Sequence, residues 1–148
     1  MAREFRLQSL LDLSQMRLED ATRQLGELIA SQEQASGRLA VLIQYRDEYQ
    51  ARFIEAARGG LGRDAWQNYG AFIDRLDAAI AQARELVAAS ERRTAAGQQE
   101  WLAKRGKVKA FNTLAERHQA REQYTEQRQE QKALDEHTSQ RFKKEEAS

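Results

Sequence analysis

Two runs of apolar heptads mirror each other across one glycine-rich break, and that mirror limits what the chain can fold into. In the first run Leu11, Leu18, Leu25, Gln32, Leu39, Arg46 and Phe53 fall at a, with Leu7, Ser14, Ala21, Leu28, Ala35, Leu42 and Tyr49 at d. In the second, Trp66, Ile73, Ile80, Val87, Thr94, Trp101, Val108 and Ala115 fall at a, with Tyr69, Leu76, Ala83, Ser90, Gly97, Lys104, Phe111 and His118 at d. Between them lies Arg58-Gly59-Gly60-Leu61-Gly62-Arg63-Asp64. Apolar residues at a and d, sustained over many heptads, specify a coiled coil. Folding the chain back at the break sets every a of one run opposite a d of the other, at residue numbers that sum to 122. The expected partner strand is the chain itself. The fold class is all-α: a long antiparallel two-helix coiled-coil hairpin with a C-terminal helical overhang.

Composition agrees. The 148 residues include no proline and no cysteine, and 32% are charged. Proline costs roughly 3 kcal/mol inside a helix, so its absence suits uninterrupted helix. Each buried seam Leu or Ile contributes roughly 1.5–3 kcal/mol, enough for some ten layers to hold a hairpin without a globular core. Lys and Arg number 24 against 23 Asp and Glu. That balance points to neither a dedicated nucleic-acid protein nor an acidic solvating tail. Lack of cysteine excludes a disulfide scaffold and a thiolate metal site. The start, Met1-Ala2-Arg3-Glu4-Phe5-Arg6, has no signal-peptide core, and no apolar run approaches 18 residues. A cytoplasmic location without membrane insertion is expected.

One domain over 1–148 is expected. Its first helix runs over 5–57, ~80 Å at 1.5 Å per residue. A glycine-rich turn covers 58–63, a second helix 64–138, and a frayed tail 139–148. Asp64 is the expected N-cap of the second helix. Past His118 the seam letters turn polar and the facing strand has run out, which leaves an overhang. Within the seam, large residues face small ones: Trp101 faces Ala21, Leu25 faces Gly97, Leu39 faces Ala83, and Val87 faces Ala35. That alternation keeps the interhelical gap even and favours the antiparallel hairpin over a parallel homodimer. Gln32, Arg46 and Lys104 weaken the seam but help fix its register. Lys104, opposite Leu18, can carry its ammonium outward, and His118 falls opposite Glu4, its expected partner. Gly26, Gly37, Gly70 and Gly106 lie off the seam without a sequence-level reason.

Catalytic motifs are lacking. Gly59-Gly60-Leu61-Gly62 has neither the Lys-Ser/Thr nor the preceding strand of a phosphate loop. His118 and His137 stand nineteen residues apart without further ligands at helical spacing, so no metal site is expected. A two-stranded coil offers no pocket for a catalytic set, so no enzyme and no cofactor are expected. The run Lys104-Arg105-Gly106-Lys107-Val108-Lys109 is a solvated face or a contact for an acidic partner. It lacks the aromatic platform of a nucleic-acid site.

The flank of the coil is more informative. One side sets Arg38, Tyr45 and Arg52 against Ala65, Phe72, Ala79 and Leu86. The other sets Ile29 and Ile43 against Gly70, Asp77 and Arg84. Tyr45, Phe72, Ala79 and Leu86 make an apolar stripe beside the seam, with arginines at its rim. Such a stripe either covers the seam or docks a partner.

These residues also carry a family resemblance. Val41-Leu42-Ile43-Gln44-Tyr45-Arg46-Asp47-Glu48-Tyr49, Trp66-Gln67-Asn68-Tyr69, Phe72-Ile73, Ala79-Ile80 and the stretch from Trp101 through Leu114-Ala115-Glu116-Arg117 resemble the FliJ family of flagellar type III export proteins. The likeness covers about residues 7 to 136. It implies a non-enzymatic component of the flagellar type III export apparatus, similar to the central stalk of rotary ATP synthases. Its implied partners are the export ATPase hexamer, the cytoplasmic domain of the export-gate membrane protein, the ATPase regulator and the export chaperones. Its implied place is the cytoplasm, peripherally at the inner-membrane export apparatus, with the termini pointing into the ATPase ring. The family's gate-contacting patch, carried over, comprises Leu42, Tyr45, Tyr49, Phe72, Leu76 and Ala79. Arg38 and Ala83 lie at its edges, where this chain departs from the family's pattern. The equivalent stalk of a virulence-type secretion system and a generic coiled-coil scaffold share the architecture.

Overall fold

The computed structural model describes residues 3–147. It contains two helices, α1 (Gln8–Arg58) and α2 (Arg63–Glu146), packed antiparallel as a hairpin. No strand occurs among the described residues. The heptad seam predicts burial well. Leu11, Ser14, Ala21, Leu76, Ile80, Ala83, Ser90 and Val108 are the buried residues, and all sit at a or d. Every other a or d position from Leu7 to His118 is half-buried, except the exposed Trp66 beside the turn. The two helices share a single seam, so their outward positions stay solvated.

Two compact units divide the chain. One is Asp20–Leu102; the other is formed by the described residues of Met1–Glu19 and Ala103–Ser148. Within Asp20–Leu102, Phe53 stacks on Tyr69 at 3.7 Å between ring centroids, as the register requires. The seam hydroxyls of Ser90 and Thr94 are satisfied internally. The Thr94 hydroxyl donates to the Ser90 carbonyl at 3.0 Å and reaches the Leu28 carbonyl at 3.3 Å. Ser90 donates to the Val87 carbonyl at 2.7 Å. The Trp101 indole N–H donates to Thr22 Oγ1 at 2.9 Å, which lets the large ring sit over small Ala21. No buried side-chain donor or acceptor among the described residues lacks a partner.

The turn follows from glycine. Gly59 and Gly60 N–H groups close back on the Ala56 and Ala57 carbonyls at 3.2 and 3.0 Å. Gly60 takes φ +88°, a conformation that side-chain-bearing residues adopt at a cost. Asp64, expected as the N-cap, instead lies in the first turn of α2, because the helix starts at Arg63. Trp66 N–H bonds the Gly62 carbonyl at 3.3 Å. There Asp64 complements the positive end of the helix. α1 begins at Gln8 rather than 5, after a turn in which Gln8 N–H bonds the Phe5 carbonyl at 3.1 Å.

In the second unit His118 does not pair with Glu4. Its Nε2 lies 2.8 Å from the Arg3 carbonyl and its ring 5.6 Å from that of Phe5. α2 continues as helix through Glu146, beyond the expected end at 138; Ser148 of the expected tail lies outside the described residues. From Gln123 onward every described residue is exposed, so this is the overhang. Good helix formers and local contacts support it: Thr125 to the Arg121 carbonyl at 2.9 Å, Gln131 to Asp135 at 3.2 Å, and Arg128 over the Tyr124 ring. Among the described residues no helix is long and apolar enough to cross a membrane.

The off-seam glycines give a first prediction. A Cβ on Gly26, Gly37, Gly70 or Gly106 would meet nothing within 4 Å. Each alanine substitution there raises stability by about 0.5–1 kcal/mol, read as a rise in the urea midpoint. A Cβ on Gly97 would come within 2.5 Å of Leu28 Cδ1. Gly97→Ala therefore shows no such gain, and Gly60→Ala loses about 1–2 kcal/mol. A uniform response across all six positions would contradict the seam geometry.

Candidate protein-docking site

Between the turn and the middle of Asp20–Leu102, aromatic residues recur at seam and flank positions of both helices. Rings from α1 and α2 therefore interleave. Phe53 meets Trp66 edge-on at 4.9 Å, Tyr49 stacks on Tyr69 at 5.7 Å and tilts onto Phe72 at 4.5 Å, and Phe72 meets Tyr45 edge-on at 6.1 Å. The ladder steps from the seam outward, and Tyr45 stands at its outer end, 45% exposed. Edge-on and offset pairs hold such rings in fixed orientations. Tyr45 is thus a preset apolar surface with a free phenol edge rather than a mobile side chain.

The structure brings most of the sequence-derived patch together. Tyr45, Tyr49 and Phe72 form one ring cluster. Leu42 and Ala79 line an adjoining groove of about 420 Å³ between the helices. Leu76 differs: it is only 8% exposed and supports the patch from beneath. Leu86, 53% exposed, continues the apolar lining, with Ala35 and Ala83 below it. Arg38 and Arg93 stand at the groove's edge and are exposed. Arg93 is absent from the sequence-derived patch. Its only signal is the flank letter it shares with Leu86 one heptad earlier.

The opposite flank is chemically different. Arg46, an a residue, turns away from the apolar layer and donates to Asp77 Oδ1 at 2.5 Å. Its other nitrogens reach Asp77 Oδ2 and Gln50 Oε1 at 3.5 and 3.4 Å. The hydrogen bond and charge of Asp77 hold the Arg46 guanidinium above its ordinary pKa. A raised value means that the arginine's share of stability is lost only as pH rises past that value, so the arginine gives no switch in the physiological range. Ile43, Asp47 and Arg84 complete a second groove on this side, where the cations have carboxylates beside them. Among the described residues no group of three or more His, Asp or Glu is placed to hold a metal ion.

Comparison with known proteins decides the family. The flagellar FliJ protein family matches residues 3–147. The chain belongs to the FliJ family. It is 32% identical over 136 residues to the flagellar FliJ protein of Salmonella typhi, an alignment that covers 92% of each chain. It is 33% identical, with the same coverage, to the flagellar FliJ protein of Escherichia coli strain K12. FliJ membership bears out the resemblance carried by the Leu42–Tyr49 and Trp66–Ile73 strings, and with it a place among flagellar export components.

Proposed function

We propose that this FliJ-family chain is the non-enzymatic stalk of the flagellar export ATPase and couples that ATPase to the export gate. It acts in the cytoplasm, held peripherally at the inner-membrane export apparatus. Its partners are the ATPase hexamer, the cytoplasmic domain of the gate protein, the ATPase regulator and the export chaperones. The observation that carries this reading is the one-sided apolar flank centred on Tyr45 and Phe72. This side of Asp20–Leu102 presents rings and aliphatic side chains with Arg38 and Arg93 beside them and no carboxylate lining the groove, whereas Asp47 and Asp77 line the groove on the other side. A generic spacer has no need of such sidedness. The exposed end of α2, from Gln123 to Glu146, supplies a helix free to enter a ring of subunits. The flagellar names of both relatives favour the flagellar system over a virulence-type one.

Addition of the purified chain to the purified export ATPase tests the reading. The chain alone hydrolyses no ATP, and the ATPase rate rises when the chain is present. Truncation after Gln123 removes the stimulation and leaves the hairpin folded by circular dichroism. An unchanged ATPase rate on adding the full chain would sink the stalk proposal.

A further inference from the structure

The groove on the Tyr45 flank carries two arginines with nothing to neutralise them. Arg38 and Arg93 have no hydrogen bond or ion pair among the described residues, and no carboxylate lines the groove. On the other flank Arg46 holds Asp77, and Asp47 and Asp77 line the groove there, so the two grooves differ in whether carboxylates accompany their arginines. The groove floor is aliphatic, made by Leu42, Ala79, Ala83 and Leu86. A furrow between two helices, floored by residues at heptad spacing, has the shape that a third coiled-coil strand fills.

We infer that this groove takes an acidic amphipathic helix of a partner protein, laid along the hairpin as a third strand. Its apolar residues lie on Leu42, Ala79 and Leu86, and its carboxylates meet Arg38 and Arg93. Arginine offers a planar fork matched to carboxylate, which gives the contact direction as well as attraction. A second copy of this chain is a poor occupant. A two-fold contact through the groove would bring its unpaired arginines against their own copies. That the helix belongs to the export gate rests on the docking reading above; the chemistry of the occupant does not.

Two sets of measurements on the full-length chain separate these claims. The first uses a synthetic helix three heptads long, with leucine at a and d and glutamate beside them, and a matched helix carrying lysine instead. Fluorescence anisotropy shows the acidic helix binding and the basic one failing to bind. Arg38→Glu with Arg93→Glu weakens the acidic helix by at least about tenfold, whereas Arg38→Lys with Arg93→Lys stays within about threefold. The wild-type affinity falls as salt rises. Equal binding of both helices, or no effect of the charge reversal, overturns the inference. So does self-association of the chain that Leu86→Asp abolishes, because it puts a second copy in the groove. The second set repeats the variants with the purified cytoplasmic domain of the gate. If the acidic helix obeys the pattern and the gate domain does not bind, the groove chemistry stands and the gate reading falls. If the gate domain binds but ignores the reversal, the acidic-helix inference falls and the docking reading stands.

Discussion

Replacing Ile80 with alanine lowers the stability of the hairpin by about 2–5 kcal/mol, the range for removing a buried Ile or Leu side chain. Ile80 is 6% exposed and lies at the seam position that faces Leu42. A coil with one seam has no second core to take up the loss, and each layer is closed by only two side chains. The backbone of a long helix also resists the local collapse that would refill the cavity. Urea unfolding followed by helical circular dichroism reads the effect as a lower midpoint with an unchanged slope. Ile54→Ala is the control. Ile54 has the same side chain in the same helical pair but is 50% exposed, and its loss stays within about 0.5 kcal/mol. Equal effects at the two positions would mean that the a/d seam does not hold the helices together.

Tyr45→Ala combined with Phe72→Ala abolishes binding to the gate's cytoplasmic domain while helicity is retained. Aromatic residues that anchor an interface are worth about 2 kcal/mol or more each on truncation, so the pair weakens binding by well over ~30-fold. Their edge-on contact at 6.1 Å makes them one surface, so their effects need not add. Phe72 also touches Tyr49 at 4.5 Å, and the double variant loses some stability as a result. Binding is therefore compared well below the unfolding midpoint of both proteins. Ile29→Ala, an exposed aliphatic on the opposite flank, leaves binding unchanged. Gate binding equal to wild type in the double variant would reduce the ring ladder to a cover for the seam.

Much of the architecture is legible in the heptads. The buried residues from Leu11 to Val108 are all seam letters, and Phe53 meets Tyr69 where the mirror puts it. Period alone suffices because a two-helix seam is a one-dimensional problem: once the turn is placed, every layer follows. The patch is legible in part. Its rings assemble as expected and Leu76 is buried as its d position requires, but Arg93 enters only with the groove. Side chains as long as arginine reach across several positions, so their place depends on neighbours rather than on their own heptad letter. His118 illustrates the same limit. Register brings it near Glu4, yet the ring settles on the Arg3 carbonyl and Phe5.

By itself, then, the sequence determines an antiparallel hairpin, its register, its turn at Gly59–Gly62 and its unpaired C-terminal helix. These follow from apolar periodicity, glycine placement and the absence of proline, all of which act along the chain. Tertiary structure decides what the flanks are. It pairs Arg46 with Asp77 on one side and leaves Arg38 and Arg93 without carboxylates on the other, although all three are seam or flank arginines in the same coil. The physical reason is that charge pairing depends on distances of a few ångströms between side chains on different helices. A repeat pattern sets which face a residue occupies, but only the packed helices set what that face is beside.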